Sequence, residues 1–432
     1  MLGALGPELY NKTKIQSKMK KMTLYKSSFL LFIGFMLINS CCSYKLKPFE
    51  YPQPEDTSDK KIELQEKKIY RFDQFSFDNL FDGARLNGMI QQDESTFKAI
   101  ISPENIPVNN SAWFAFRMKS ETPADIQIVL EYKDGAHRYI PKYSYDKISW
   151  IPVDTLSIKY LSEKEVIFPF HLDSRPVYLS GQELITSSDV FDYCSKLAER
   201  KDIELGSYGT SVGGRNLFYL DMFQDKPDKK PLLIIMGRAH PPELSGHFAM
   251  QAYLETILEN NVLANAFRKK FRILVFPMIN PDGVDMGHWR HNAHGVDLNR
   301  DWAEYRQKEV KQLADFMVRE QKTKKNKVVL CMDFHSTQKD VMYTHVDSIV
   351  SVVPGFKNFW LYALDQAMPD HTPHEEAYGF SQPYAKGWFH KQFKAESIIF
   401  EVGDETPRPF IREKAQKSAQ EMMKLLIFYS DY

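Results

Sequence analysis

The chain has 432 residues, more than one hydrophobic core usually organises, so at least two domains are expected. A hydrophobic content of 43% and an aromatic content of 13% exclude a disordered chain. Lys+Arg and Asp+Glu balance at 56 each, which leaves no basic excess to suggest nucleic acid or an anionic membrane surface as a partner.

In chain order, Lys18, Lys20, Lys21 and Lys26 precede an apolar stretch from Phe29 to Ile38. That stretch is shorter than the roughly 20 residues that span a bilayer, and a basic start before a short apolar run reads as an export signal over residues 1–40. It runs into Ile38-Asn39-Ser40-Cys41, which resembles the bacterial lipoprotein cleavage box. Cys41 is then the lipidated first residue of an exported, envelope-bound chain, and the lipid is its expected membrane contact. Cys42 fits less well because Asn39 would take the apolar position. An ordinary signal peptide without lipid is the other reading. Cys194 and Cys331, in a helical and a strand pattern, read as buried small side chains, not as a disulfide framework.

Residues 41–61 are rich in Pro, Glu, Asp and Lys without periodicity and read as a linker or tether. Residues 62–180 carry short runs of β-formers broken by turn residues, such as Ser111–Arg117, Asp125–Glu131 and Val166–Phe170. Asp134-Gly135 between two runs signals a hairpin. With no long helical period among them, these runs predict an antiparallel β-sandwich of about 110 to 120 residues. From residue 181 the pattern alternates. Asp189–Arg200 has helical spacing, Leu217–Leu220 and Leu232–Met236 read as strands, and Ser245–Glu259 as a helix. Phe271–Phe276, Glu304–Gln321 and Lys327–Asp333 continue as strand, helix and strand. The alternation predicts an α/β domain over 181–432, with a mixed, mostly parallel twisted sheet and helices on both faces.

Candidate chemistry sits at the carboxyl ends of these strands, where ligands bind in α/β domains. His240 and Glu243 follow the Leu232–Met236 strand, and His335 follows the Val328–Asp333 run. Two histidines and a carboxylate can hold one zinc ion and leave a position open for water. Glu401 ends the apolar run Ser397–Phe400, where partial desolvation would raise its pKa and suit it to general-base work. Asp404 and Glu405 beyond it read as solvated. His288, His291 and His294 flank Arg290 and read as a polar loop lining the cleft, in preference to a second metal site.

The pieces Gly209-Thr-Ser-x-x-Gly-Arg215, His240-x-x-Glu243, Asn280-Pro-Asp-Gly283, Gly295-Val-Asp-Leu-Asn-Arg300, Phe334-His335-Ser336 and Phe400-Glu401 occur in that order. On them, residues 205–425 resemble the M14 zinc carboxypeptidase family. The resemblance implies one zinc ion on His240, Glu243 and His335, with Glu401 as general base and Arg290 stabilising the oxyanion. It implies Asn299 and Arg300 as the clamp on a peptide's free terminal carboxylate, a task that suits a guanidinium's paired donors. Tyr378, with Tyr384 as rival, would cover the substrate. Lys386 would lie near the floor of the terminal side-chain pocket, which implies a preference for acidic C-terminal residues. Trp113–Arg117 and His137–Asp146 are similar to the sandwich that precedes the catalytic domain in the cytosolic-carboxypeptidase branch. The export signal departs from that branch, so its intracellular substrates do not carry over. Two other readings use the same residues. One is an amidase, deacylase or peptidoglycan-stem carboxypeptidase; the other is a non-catalytic surface protein that binds a peptide or glycan.

Overall fold

The computed structural model describes residues 46–430, so the segment read as an export signal and Cys41, read as its lipidated residue, lie outside the described residues. No helix among the described residues is long and apolar enough to cross a membrane. The eleven strands of the N-terminal part are β1 (Ile69–Phe72), β2 (Phe75–Asp78), β3 (Gly88–Gln91), β4 (Thr96–Ile101), β5 (Ala115–Ser120), β6 (Ala124–Tyr132), β7 (Lys142–Ser144), β8 (Ile151–Pro152), β9 (Lys159–Ser162), β10 (Glu165–Leu172) and β11 (Val177–Ser180). They form one sheet in the order β1-β2-β5-β11-β7-β8 and a second in the order β3-β4-β6-β10-β9. Along β4 every second side chain is buried, the alternation that a sheet with one face in a core requires. Phe77, Phe97, Phe116, Ile128 and Phe168 fill the space between the sheets and are wholly buried.

Two features depart from the sequence reading. β4 and β6 pair in parallel, Thr96 with Gln127 through Ile101 with Tyr132. The chain leaves β4 for the other sheet, makes β5 there, and returns to lay β6 beside β4 in the same direction. Asp134-Gly135 turns no hairpin, since β6 pairs with β4 and β10. Gly135 has φ +71°, and a Cβ there would meet Asn110 Oδ1 at 2.9 Å and the Trp289 ring at 3.0 Å, so this turn is packed between the sandwich and the second domain.

The second domain holds β12 (Ile203–Thr210), β13 (Asn216–Met222), β14 (Pro231–Gly237), β15 (Arg272–Phe276), β16 (Lys327–Thr337), β17 (Val341–Thr344), β18 (Glu375–Ala377) and β19 (Glu396–Gly403). Its sheet order is β12-β13-β15-β14-β16-β19-β17-β18, and the central run from β15 to β19 is parallel. The helices are α1 (Ser187–Leu197), α2 (Leu244–Ile257), α3 (Val262–Lys270), α4 (Pro281–Met286), α5 (Lys308–Lys324), α6 (Phe356–Ala367), α7 (Ala385–Phe393) and α8 (Arg408–Ser430). Thr186 and Asp189 close a capping box at the start of α1, satisfying two end groups reciprocally. One face of the sheet packs on α2, α3, α6 and α8. On the other, Phe316 of α5 lies against Tyr208, Tyr219 and Phe276. β14, buried on both faces, is an uninterrupted apolar run for this reason. Cys194 and Cys331 are buried free thiols.

The sandwich shares its core with this domain, because Leu184, Leu244 and Trp289 are buried among the sandwich's side chains. Polar ties add to that contact. The Arg138 guanidinium meets Asp404 at 2.8 Å, and Lys142 meets Glu405 at 3.2 Å. Asp404 is therefore buried and not solvated as its sequence position suggested, and burial pushes its carboxyl up to about 6. The segment read as a tether has no helix or strand from Pro48 to Lys60, in keeping with its composition, yet it is fixed along the second domain. Phe49 and Lys60 donate backbone N–H groups to the carbonyls of Ala303 and His294. Tyr51 and Thr57 are buried, and the Thr57 hydroxyl donates to Asp301 at 2.5 Å.

Candidate active site

β14 ends at Gly237, and Arg238 turns the chain with φ +55°. A non-glycine residue in this region costs of order 1–3 kcal/mol, and its surroundings must hold it there. The buried Arg238 guanidinium does so in part by donating to the carbonyl of Pro241 at 2.9 Å. The turn delivers His240 and, at the start of α2, Glu243. Gly246 lets α2 approach β16, since a Cβ there would sit 2.4 Å from the His335 carbonyl oxygen.

The sequence reading placed His335 just past its strand and Glu401 at the end of its own. Both lie inside their strands, because β16 and β19 pair as far as Thr337 and Gly403. His335 is the direct register partner of Glu401, so the two side chains share one face of adjacent strands. Glu243 joins the two histidines. Its Oε1 lies 2.7 Å from His240 Nδ1, and its Oε2 lies 2.8 Å from His335 Nδ1. One ligand atom from each of the three residues falls within 4.8 Å of the others, and all three are buried, so this set fits a single zinc ion. Among the described residues no second such group occurs.

Buried carboxylates dominate the electrostatics. For Glu243 burial opposes ionisation, but His240 and His335 outweigh it and hold the carboxyl below its usual range. For His335 burial disfavours the charge, but Asp333, 3.0 Å from Nε2, and Glu243 raise its pKa. Glu401 differs. Burial pushes its carboxyl up to about 8, Glu243 and Asp333 add to the rise, and His335 and Arg290 oppose it. Its Oε2 is buried without a hydrogen-bond partner.

Asp297 received no role in the sequence reading and is the hub of the site. Its Oδ1 lies 3.0 Å from His240 Nε2 and accepts the Asn299 backbone N–H at 2.8 Å. Its Oδ2 accepts from Arg290 Nε at 2.7 Å and lies 3.5 Å from an Arg300 nitrogen. Burial opposes its charge, but Arg290, Arg300 and His240 hold the carboxyl well below its usual range. The short 3-10 turn Leu298–Arg300 that Asp297 caps presents Asn299 and Arg300. Asn299 Oδ1 accepts the Ala385 N–H at 2.9 Å, so the other end of its carboxamide is a donor. The Arg300 guanidinium lies over the Tyr384 ring at 4.1 Å. Its Nε meets Glu55 of the Pro48–Lys60 segment at 3.0 Å.

Tyr378 is exposed and its hydroxyl is 3.2 Å from that of the buried Tyr384. Lys386 is buried in α7 and donates to the carbonyls of Thr344, at 2.5 Å, and Tyr378. Both carbonyl residues line a cavity of about 390 Å³ with His345, Val346 and Gly379. Burial pushes the Lys386 ammonium down to about 7. The histidines around Arg290 do not line the cleft. His288 and His291 are buried, and His294 lies 3.0 Å from Asp59. Arg215 is also structural, with its guanidinium on Asp282 and Asp285 at 2.9 and 2.6 Å.

Residues 190–386 match a sequence profile described as zinc carboxypeptidase. A Zymomonas mobilis protein is 25% identical over 52% of this chain and 58% of its own length. Mouse cytosolic carboxypeptidase 6 is 24% identical over 52% of this chain and 46% of its own. The chain thus spans about half the length of these relatives. The crystal structure of a metallo-carboxypeptidase from Burkholderia cenocepacia shares the fold, with a TM-score of 0.70 at 17% identity, covering 83% of this chain and all of that one.

Asp297→Asn should keep the fold and weaken zinc binding about 10- to 100-fold, since it removes the charge that orients His240. Competition with a chelating dye checks this, and unchanged affinity would remove Asp297 from the metal site.

Proposed function

We propose that this chain, whose residues 190–386 match the zinc carboxypeptidase profile, hydrolyses the last peptide bond of peptides with a free C-terminal carboxylate. The observation that carries this reading is the register of His335 with Glu401, which sets a half-buried carboxyl, its Oε2 buried without a partner, beside three side chains that could hold a metal. His240, Glu243 and His335 would hold zinc. When bound, zinc polarises the scissile carbonyl and lowers the pKa of a water toward roughly 7.

The remaining steps fall to the chain's own groups. Glu401 takes the proton from the attacking water and returns it to the leaving amine. A carboxyl whose pKa desolvation raises toward neutrality is suited to both transfers. Arg290, oriented by Asp297, donates to the oxygen that becomes negative. The Asn299 amide and the Arg300 guanidinium bind the terminal carboxylate. Support for Arg300 in this role comes from Glu55, a carboxylate it already holds at 3.0 Å. Tyr378, exposed at the edge of the site, covers the bound residue. Lys386, whose carbonyl partners Thr344 and Tyr378 line the 390 Å³ cavity, selects an acidic terminal side chain.

Three outcomes are expected. Glu401→Gln should keep zinc stoichiometry and lose several orders of magnitude in kcat, read by mass spectrometry on a peptide library with varied C-termini. Equal cleavage of amidated and free C-termini by the unaltered protein would reject the carboxylate clamp. Glu55→Gln should lower KM about two- to fivefold at constant kcat, the size of an exposed ion pair worth up to ~1 kcal/mol. A raised or unchanged KM would show that the segment does not compete with substrate. Finally, Lys386 loses its charge as pH rises through about 7 while a substrate carboxylate stays ionised. The ratio of kcat/KM for C-terminal Glu over Gln should therefore fall between pH 6 and 9, and a flat ratio would discard Lys386 as the selector.

A further inference from the structure

We propose that Glu104, a side chain of the sandwich, is a positioning residue that fixes Arg290 for the reaction. The inference rests on the oxyanion role given to Arg290 above. Glu104 has no exposed surface, and it points at the backbone of the loop that carries Arg290. Its Oε2 accepts the N–H of Trp289 at 2.7 Å. Its Oε1 accepts the N–H groups of Arg290 at 3.0 Å and His291 at 2.8 Å, and lies 2.9 Å from His291 Nδ1. Three consecutive amides thus converge on one carboxylate, as in the backbone nests that bind anions.

Such convergence fixes the backbone on both sides of Arg290. No helix or strand does this, because the chain from Gly287 to Asp297 has neither. The far end of the Arg290 side chain is held separately, by Asp297 at 2.7 Å. Arg290 is therefore pinned at its backbone from the sandwich and at its guanidinium from the catalytic domain. Other sandwich groups hold the same loop. Gln65 donates to the Met286 carbonyl at 3.1 Å, Asn105 to the Gly295 carbonyl at 2.9 Å, and the Trp289 ring is buried in the sandwich core.

The charge matters as well as the shape. Burial opposes ionisation of Glu104, but the hydrogen bond from His291 and the fields of His288 and Arg85 outweigh it and keep the carboxyl below its usual range. Both oxygens are in use. A glutamine would replace one acceptor with an NH2 group, and at least one loop N–H would then face a donor.

A double-mutant cycle tests the proposal on the full chain loaded with zinc. Glu104→Gln alone should lower kcat about 10- to 100-fold with KM nearly unchanged, less than the roughly 100- to 1,000-fold cost of losing an oxyanion donor outright. Zinc content should stay at its unaltered level, and the amides of Trp289, Arg290 and His291 should exchange hydrogen faster. In an Arg290→Ala background the same Glu104→Gln change should cost less than about twofold, because nothing is left to position. Equal losses in both backgrounds would mean a general structural role and overturn the proposal. A loss of zinc that accounts for the fall in kcat would do the same. If Arg290→Ala itself leaves kcat intact, the oxyanion reading of Arg290 fails, and the positioning role fails with it. Where Glu104→Gln does not fold, Glu104→Asp, which keeps the charge and retracts it by one methylene, is carried through the same cycle with the same two outcomes.

Discussion

A carboxylate largely removed from water must be met by cations or by N–H donors, and this site is organised by three that are. Asp297 gathers His240, Arg290, Arg300 and the Asn299 amide. Glu243 bridges His240 and His335. Glu104 gathers the loop between them. Hydrogen bonds to charged groups are worth about 1.5–3 kcal/mol each, and a buried charge stripped of its partners costs more than the bonds contributed. Each carboxylate therefore acts as a fixed point to which several functional groups are referred. Their positions relative to one another follow from sharing an anion, and not from the rigidity of the loops they occupy.

This explains why the sandwich is inseparable from the chemistry. A sheet domain joined only by a linker would leave its neighbour free to move. Here the two parts share apolar core at Leu184, Leu244 and Trp289, and charge at Arg138–Asp404 and Lys142–Glu405. Arg138–Asp404 is buried on both sides, and Asp404 is only three residues beyond Glu401. The strand end that carries Glu401 is thus anchored by the sandwich, as is the Arg290 loop.

The three side chains that could hold a metal were legible in the sequence because they follow apolar runs with strand length, and because the short motifs around them are dense in constrained residue types. The alternating strand and helix order was legible for the same reason, since period and breakers are local signals. What escaped was long-range. Asp297 sits in a recognisable motif, but its partners lie 57 residues away at His240 and on two arginines, and spacing alone does not rank it above a capping aspartate. Glu104 lies 186 residues from Arg290, in a segment without periodicity. The segment around Glu55 and Thr57 has the composition of a solvated tether, and only the surface it meets makes it ordered. His335 and Glu401 looked like strand-end residues because polar side chains end an apolar run. Pairing of β16 with β19 continues through them, since backbone hydrogen bonds do not depend on side-chain polarity.

Lys386 and its neighbour Lys357 differ in the groups that surround them. Lys357 reaches the same short stretch of chain, donating to the His345 carbonyl at 2.6 Å, and it also meets Asp347 and Glu375, each at 2.9 Å. Those carboxylates outweigh burial and raise its pKa. Lys386 meets the Thr344 carbonyl from the other side, and among the described residues no carboxylate comes within ion-pair distance of it. The nearby acids are committed elsewhere, Glu375 to Lys357 and Glu396 to the Ser351 hydroxyl at 2.9 Å. His345 adds no charge, because burial and the two lysines push it down to about 2. The result is one ammonium held by carbonyl dipoles alone beside a cavity, with its charge made costly by desolvation. A carboxylate entering that cavity, which Lys391 also lines, would give the Lys386 ammonium the counter-charge it lacks among the described residues, whereas an apolar side chain would not.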